Sequence, residues 1–536
     1  LVISRDRKGE ENPGLYLQKP SGGPLLEIQH KKGVQTGYAF TSEDSTWIYF
    51  TSNDEKPDSY TIYRYNIRTG AKEKVFGDPG IWGIADMSRD GRKILLEKAT
   101  GSLRTEVYEY DQIEKKLTPL FGQGEAEDYG VSYSANEGEL LVKTNKFSNF
   151  YRGYTWKAGK FQPITPEIKK DVEELFIDQA RKRIYYLVND EGYTVLSVLD
   201  GKTLKPVTLP KLPKADHVFV GSLSRDGRFA TLGVETGRAP RTSFVLDWES
   251  GKLTQWVLPS APEVKTTEFA EAKLEFYKAR DGVKIPMFVR RPLKCDSPCP
   301  VIVHFHGGPE GQSQPGFSTY SQIFVENGYI YVEPNVRGSS GYGKEWLHSD
   351  NGGKRLNVIT DIEDAAAFIK KEWAVNGRAP KVGVMGYSYG GYSTLVAMTM
   401  FGGAYNAGAA LVGMSNLYTF LQNTAPYRRI LRATEYGNPE TEKDILLKLS
   451  PVTYLDRVKD PLMIIQGASD PRVPAGEAIQ IHNQLEAKGV PNQLIIFADE
   501  GHGSAKRDNR VLEIGHLIRF FNSHLKTQSG TPKPAG

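Results

Sequence analysis

One short motif recurs through the first half of the chain, and its spacing restricts what that half can fold into. Ser42-Glu-Asp44, Ser88-Arg-Asp-Gly91, Ser134-Ala-Asn136, Asp178-Gln-Ala180 and Ser224-Arg-Asp-Gly227 follow one another at about 44 to 46 residues. Each anchor leads into a short run such as Trp47-Ile-Tyr-Phe50 or Lys93-Ile-Leu-Leu96, and then into a second run such as Glu106-Val-Tyr-Glu-Tyr110. Alternation of the kind seen at Tyr60, Ile62, Arg64 and Asn66 places successive side chains on opposite faces, which is the period of a strand. Asp90-Gly91, Asp200-Gly201, Asp226-Gly227 and Ser250-Gly251 supply hairpin turns, because glycine takes positive φ at little cost. A repeat of this length holds four short antiparallel strands, one blade of a β-propeller; a β-sandwich would not require so regular a period.

The opening segments Leu1-Val-Ile-Ser4, Gly14 to Gln18 and Pro24 to Ile28 read as the last three strands of a blade. Such a blade has an open edge that proteins normally cover, and Val264 to Phe269 is expected to supply the missing strand. The expectation is an all-β propeller of five or six blades, five full and one composite in the larger count.

From about residue 270 the pattern changes. Leu274 to Lys278 and Lys284 to Arg290 flank Asp281-Gly282 as a hairpin. Apolar runs then alternate with helical segments: Val301 to Phe305, Tyr329 to Val332, Lys381 to Gly386, Ala409 to Val412, Leu462 to Gln466 and Gln493 to Phe497. Helices are expected at 361–373, 391–401, 475–488 and 510–525. This alternation describes a mostly parallel, doubly wound sheet covered on both faces. Its chemistry belongs in the loops at the carboxyl ends of the strands.

Charge and composition exclude some classes. The 68 basic and 64 acidic residues are intermixed, with no basic block that would argue for nucleic acid. No apolar run approaches the ~18 residues of a membrane span. Leu1 in place of Met is expected of a trimmed chain; a removed export signal would mean a periplasmic or secreted protein, and its absence a cytoplasmic one. Cys295 and Cys299, four residues apart, leave a small disulfide and two free thiols both open.

Gly386-Tyr-Ser388-Tyr-Gly390 matches Gly-x-Ser-x-Gly, a weak signal alone. Here it follows a buried strand and precedes a helix, the setting in which a serine is held on a sharp turn with its hydroxyl exposed. Such an α/β-hydrolase arrangement needs a base, and His502 lies in Asp499-Glu-Gly-His-Gly503 just beyond the last expected strand. Asp470, in Ser469-Asp-Pro-Arg-Val-Pro474 after the preceding strand, is the carboxylate expected to orient it. Asp499 and Glu500 are rivals, but neighbours of the histidine seldom fold back onto its far nitrogen. The oxyanion donors are expected to be the N–H of Tyr389 and that of Gly308 in His306-Gly-Gly-Pro309, with Gly307 as alternative. His306 is expected to shape that turn. Arg337 and Arg472 suggest contact with a substrate carboxylate, although structural ion pairs fit them at least as well. If His502 is the base, activity rises with pH as it loses its proton.

Together, Tyr387-Ser-Tyr-Gly-Gly-Tyr392, His306 to Pro309, Asn335-Val-Arg-Gly-Ser-Ser-Gly-Tyr-Gly343, Ser469 to Pro474 and Asp499 to Gly503 resemble the markers of the prolyl oligopeptidase family, in that family's order and closest to its acylaminoacyl-peptidase-like branch. The resemblance is close over about 270–526 and architectural before it. It implies a serine peptidase acting on short or acylated peptides through an acyl-enzyme, with the propeller restricting access and with no metal or organic cofactor. The expected propeller is shorter than the seven blades common in that family. No pair of glutamates for gripping a free peptide amino terminus stands out. A carboxylesterase using the same triad, and a propeller binding protein with an inert hydrolase half, are the competing readings. The expected division is 1–265 for the propeller, 266–526 for the hydrolase domain and 527–536 as a flexible tail; a homo-oligomer is left open.

Overall fold

The computed structural model describes residues 1–7, 9–259 and 263–526; the expected tail lies outside them. The first half is a six-bladed β-propeller. Four blades have four strands, beginning at Thr36–Thr41, Ile81–Met87, Tyr129–Tyr133 and His217–Leu223.

The recurring motif proves to be one turn, between the first and second strands of a blade. In Ser42, Ser88 and Ser224 the hydroxyl donates to the aspartate two residues on at 2.6 Å. The same oxygen accepts the N–H five residues on, from Trp47, Lys93 and Phe229 at 2.8–2.9 Å. Local side-chain bonds of this kind close a turn without help from the rest of the fold. The two variant anchors keep the backbone closure: Ser134 N donates to Glu139 O at 3.0 Å and Asp178 N to Arg183 O at 3.0 Å.

Two blades have three strands. In the first, Val2–Arg5, Gly14–Leu17 and Leu26–Gln29 occupy the second to fourth positions, since Gly14–Leu17 packs on the first strand of the next blade as the third strand of the other blades does. The expected strand at 264–269 is not formed. Thr266–Glu268 is a single 3₁₀ turn, and Phe269 is instead buried against Phe317 of the second half. The fifth blade ends at Tyr193–Asp200. Its outer position holds only a bridge between Leu199 and Pro206, because Pro206, Pro210 and Pro213 cannot donate to a ladder.

The second half is an eight-stranded sheet. We label its strands β1 (Lys273–Lys278), β2 (Lys284–Arg290), β3 (Val301–Phe305), β4 (Ile330–Pro334), β5 (Val382–Tyr387), β6 (Ala407–Leu411), β7 (Leu462–Gly467) and β8 (Asn492–Phe497). Their order is β1-β2-β4-β3-β5-β6-β7-β8, antiparallel at β1 and β2 and parallel from β4 onward. The expected helices appear as α1 (Asp361–Glu372), α2 (Tyr389–Met398), α4 (Gly476–Ala487) and α5 (Arg507–Leu525); α3 (Pro426–Tyr436) was not anticipated. Alternate residues of the central strands feed two cores. Val301, Val303, Phe305, Val382 and Val384 pack with Ile362, Ile369 and Leu395, while Ile302, Met385 and Leu411 pack with Leu517, Phe521 and Leu525. This two-sided burial explains the near-continuous apolar runs. Among the described residues no helix is long and apolar enough to cross a membrane. Cys295 and Cys299 are joined as a disulfide.

All six blades touch loops or helices of the second half: Glu11 to Arg472, Gln35 to Tyr427, Ser102 to Thr434, Asn149 to Glu345, Asn189 to Gln312 and Glu235 to Phe317. Several of these loops follow the parallel strands, so the propeller stands over the edge of the sheet where chemistry was expected.

Candidate active site

Register brings the expected residues to one edge. β3 pairs with β5 so that Phe305 lies opposite Gly386, and the turns that follow, His306 to Pro309 and Tyr387 to Gly390, emerge side by side. β7 and β8 pair with Gly467 opposite Phe497, which sets the Asp470 and His502 loops together.

At the first pair of turns the backbone is tight. Ser388 has φ 59° and ψ −114°, a conformation that costs a non-glycine residue of order 1–3 kcal/mol. A Cβ on Gly390 would lie 1.9 Å from the Phe305 carbonyl oxygen, and one on Gly386 would lie 2.5 Å from the same atom. Only glycines allow α2 to start so close to β3. The Ser388 hydroxyl does not cap α2. The neighbouring side chains hold the turn from both sides. Tyr387 donates its hydroxyl to Glu513 of α5, and Tyr389 reaches Asp350 at 3.3 Å.

Asp470 is fully enclosed. Its Oδ1 accepts the N–H groups of Arg472 and Val473 at 2.9 and 3.0 Å; its Oδ2 accepts from Gln466 Nε2 at 3.2 Å and meets His502 Nδ1 at 2.7 Å. With Nδ1 donating to the carboxylate, the imidazole Nε2 is left as an acceptor. Asp499 is engaged by Lys506 and Asn509, and Glu500 by the N–H groups of Ala505 and Lys506, so neither rival is directed at His502.

Gly307 comes close to the serine: a Cβ there would lie 3.5 Å from Ser388 Cβ. Gly308 has φ +139°, and its carbonyl accepts from Arg432 Nη1 at 3.3 Å. His306 bonds Ser339 Oγ at 2.7 Å and the Gly307 carbonyl at 2.9 Å, and burial lowers its pKa to about 4, which suits a neutral bracket for the turn. Arg337 is held by Asp361 and Asp281 at 2.6 and 2.5 Å, and Arg472 by Glu11 at 2.7 Å; both are ion-paired.

Behind the serine lies a charge cluster that sequence reading did not anticipate. Arg355, fully buried, bonds Asp350 at 2.9 Å and also Glu435 of α3. Burial raises the pKa of both carboxylates despite the guanidinium, Glu435 the more strongly. The cluster carries Tyr389, whose ring also lies against the Arg355 guanidinium, 5.2 Å from its centroid.

A Caenorhabditis elegans protein described as dipeptidyl peptidase family member 6 is 36% identical over 98% of this chain and 77% of its own length. The sequence model of the prolyl oligopeptidase family matches residues 315–528. The chain belongs to the prolyl oligopeptidase family. A dipeptidyl aminopeptidase BIII from Pseudoxanthomonas mexicana is 31% identical over 66% of this chain, and the match spans about half, 52%, of that family member's length. In fold, a puromycin-hydrolyzing peptidase of Mycobacterium tuberculosis superposes with TM-score 0.83 at 19% identity, over 99% of this chain and 85% of that one. The prolyl oligopeptidase family is one of serine peptidases, and the protein is accordingly a serine hydrolase.

Proposed function

We propose that the protein hydrolyses short or acylated peptides through an acyl-enzyme formed on Ser388. The observation that carries this reading is the bond from His502 Nδ1 to the enclosed Asp470, presented at the same sheet edge as a strained and uncapped serine. Ser388 Oγ attacks the scissile carbonyl carbon while His502 Nε2 takes its proton, and the carbonyl oxygen becomes an oxyanion. The N–H groups of Tyr389 and Gly308 receive that charge; one such donor is worth about 3–4 kcal/mol in the transition state. As the tetrahedral species collapses, the C–N bond breaks and the leaving amine takes the proton from His502. Water then repeats the sequence on the ester, returning the acid product and free Ser388. Asp470 keeps its negative charge throughout and stabilises the imidazolium.

Peptides are favoured over simple esters because the relatives are described as dipeptidyl peptidases and prolyl endopeptidases. Contacts from all six blades support a role for the propeller in limiting access. Two measurements test the reading. A fluorophosphonate should label the protein and fail to label Ser388→Ala. On matched substrates, kcat/KM should be measurable for the peptide; cleavage confined to esters would replace the peptidase reading with a carboxylesterase.

A further inference from the structure

Helix α3 brings a set of guanidinium groups to this edge. Arg428, Arg432, Glu435 and Tyr436 fall at i, i+4, i+7 and i+8, one stripe of the helix. Glu435 and Tyr436 are buried, so the stripe faces inward and carries both arginines with it. The start of the helix is fastened beside the candidate acid: Ala425 N donates to Pro471 O at 3.2 Å, and Thr424 Oγ1 donates to Arg472 O at 2.9 Å. Further along, Arg432 touches the Gly308 carbonyl. Arg428 therefore sits between the Asp470 loop and the His306 turn, the two sides of the Ser388 site.

Of the three arginines there, two have counter-ions. Arg472 holds Glu11 at 2.7 Å and Arg432 lies 3.6 Å from Glu310. Arg428, half-buried, makes no ion pair among the described residues, and Glu11, a carboxylate that attracts it, is held by Arg472. Arg428 is thus the one of these three arginines with no ion-pair partner of its own among the described residues. Burial, and then repulsion from Arg432 and Arg472, pushes the Arg428 guanidinium below its ordinary range. An arriving anion would relieve that repulsion.

We propose that Arg428 is the docking point for a carboxylate of the substrate, so that the protein prefers peptides bearing a negative charge close to the scissile bond. This rests on the Ser388 reading above and adds a specificity to it. A guanidinium offers a planar fork that matches a carboxylate. The carboxylate has two sources, an acidic side chain or the free carboxyl terminus of a short peptide.

The test uses the whole protein and matched peptides: Glu against Gln at each position flanking the cleaved bond, and free acid against amide at the carboxyl terminus. One of the two sources should raise kcat/KM about tenfold or more over its neutral twin, the range of a charge-assisted hydrogen bond. In Arg428→Gln that ratio should fall towards one, and Arg428→Lys should restore part of it. Added salt should lower the wild-type ratio as well, a readout that stands if Arg428→Gln fails to fold. If fluorophosphonate labels Ser388 but the wild type shows no preference, or keeps it in Arg428→Gln, the carboxylate site is overturned and the hydrolase reading survives. If Ser388 is not labelled, the hydrolase reading fails and the carboxylate site falls with it.

Discussion

The propeller and the hydrolase half use side chains in opposite ways. In the propeller the same turn is built repeatedly from Ser, Asp and one backbone N–H, so the loss of any copy leaves others like it. In the hydrolase half the decisive contacts occur once: one carbonyl of Phe305 against Gly390, one guanidinium between Asp350 and Glu435, one carboxylate behind His502. Repetition spreads the cost of a change, whereas a single contact concentrates it.

Substitutions on the two sides should separate accordingly. The largest effect is expected for Ser388→Ala, which should lower turnover by about 10⁴-fold or more while leaving the urea midpoint nearly unchanged. Arg355→Met should cost about 3–5 kcal/mol in denaturant unfolding, because it strands two buried carboxylates. Gly390→Ala should cost about 3 kcal/mol and abolish fluorophosphonate labelling, since its Cβ has to push Phe305 or α2 aside. Ser88→Ala should cost only about 1 kcal/mol and leave turnover intact. Matching losses for Ser42→Ala and Ser224→Ala would sharpen the contrast; a loss at one blade as large as that for Arg355→Met would break it.

The smallest effect concerns pH. Because the carboxyl of Glu435 titrates well above its ordinary value in the folded chain, the folded state holds that proton more tightly than the unfolded one. Its contribution therefore favours folding at low pH and is lost as pH rises from about 4.3, the usual glutamate value, through the raised folded value. Glu435→Gln should flatten that decline at a cost under about 1 kcal/mol. A stability–pH curve identical to the wild type would contradict the assignment.

What the sequence disclosed follows the same division. The blade period was readable because each anchor turn is made within about six residues. The placement of Ser388, Asp470 and His502 at one sheet edge was readable because each follows an apolar strand in a parallel sheet. The Asp350–Arg355–Glu435 cluster was not, since a buried arginine and a surface arginine look alike until residues 80 apart are brought together. Helix α3 escaped notice because three of the four residues in its inward stripe are of charged type, with Arg428 and Arg432 where apolar residues would announce a helix. The segment at 264–269 was misread as an edge strand because nothing local revealed that Phe269 packs across on Phe317.

The bond between Arg472 and Glu11, with the backbone contact of Gly9 on Gly501, gives the order of synthesis a meaning. Residues 9–11 leave the ribosome before the whole hydrolase half, and the histidine loop that leans on them comes almost five hundred residues later. A chain in the making thus carries its brace and its serine before the histidine loop that the brace seats. With His502 as the proposed base, the nascent protein would stay chemically silent, unable to cut its own unfolded segments or its neighbours', until the loop beyond the final strand is laid down and the two distant stretches meet.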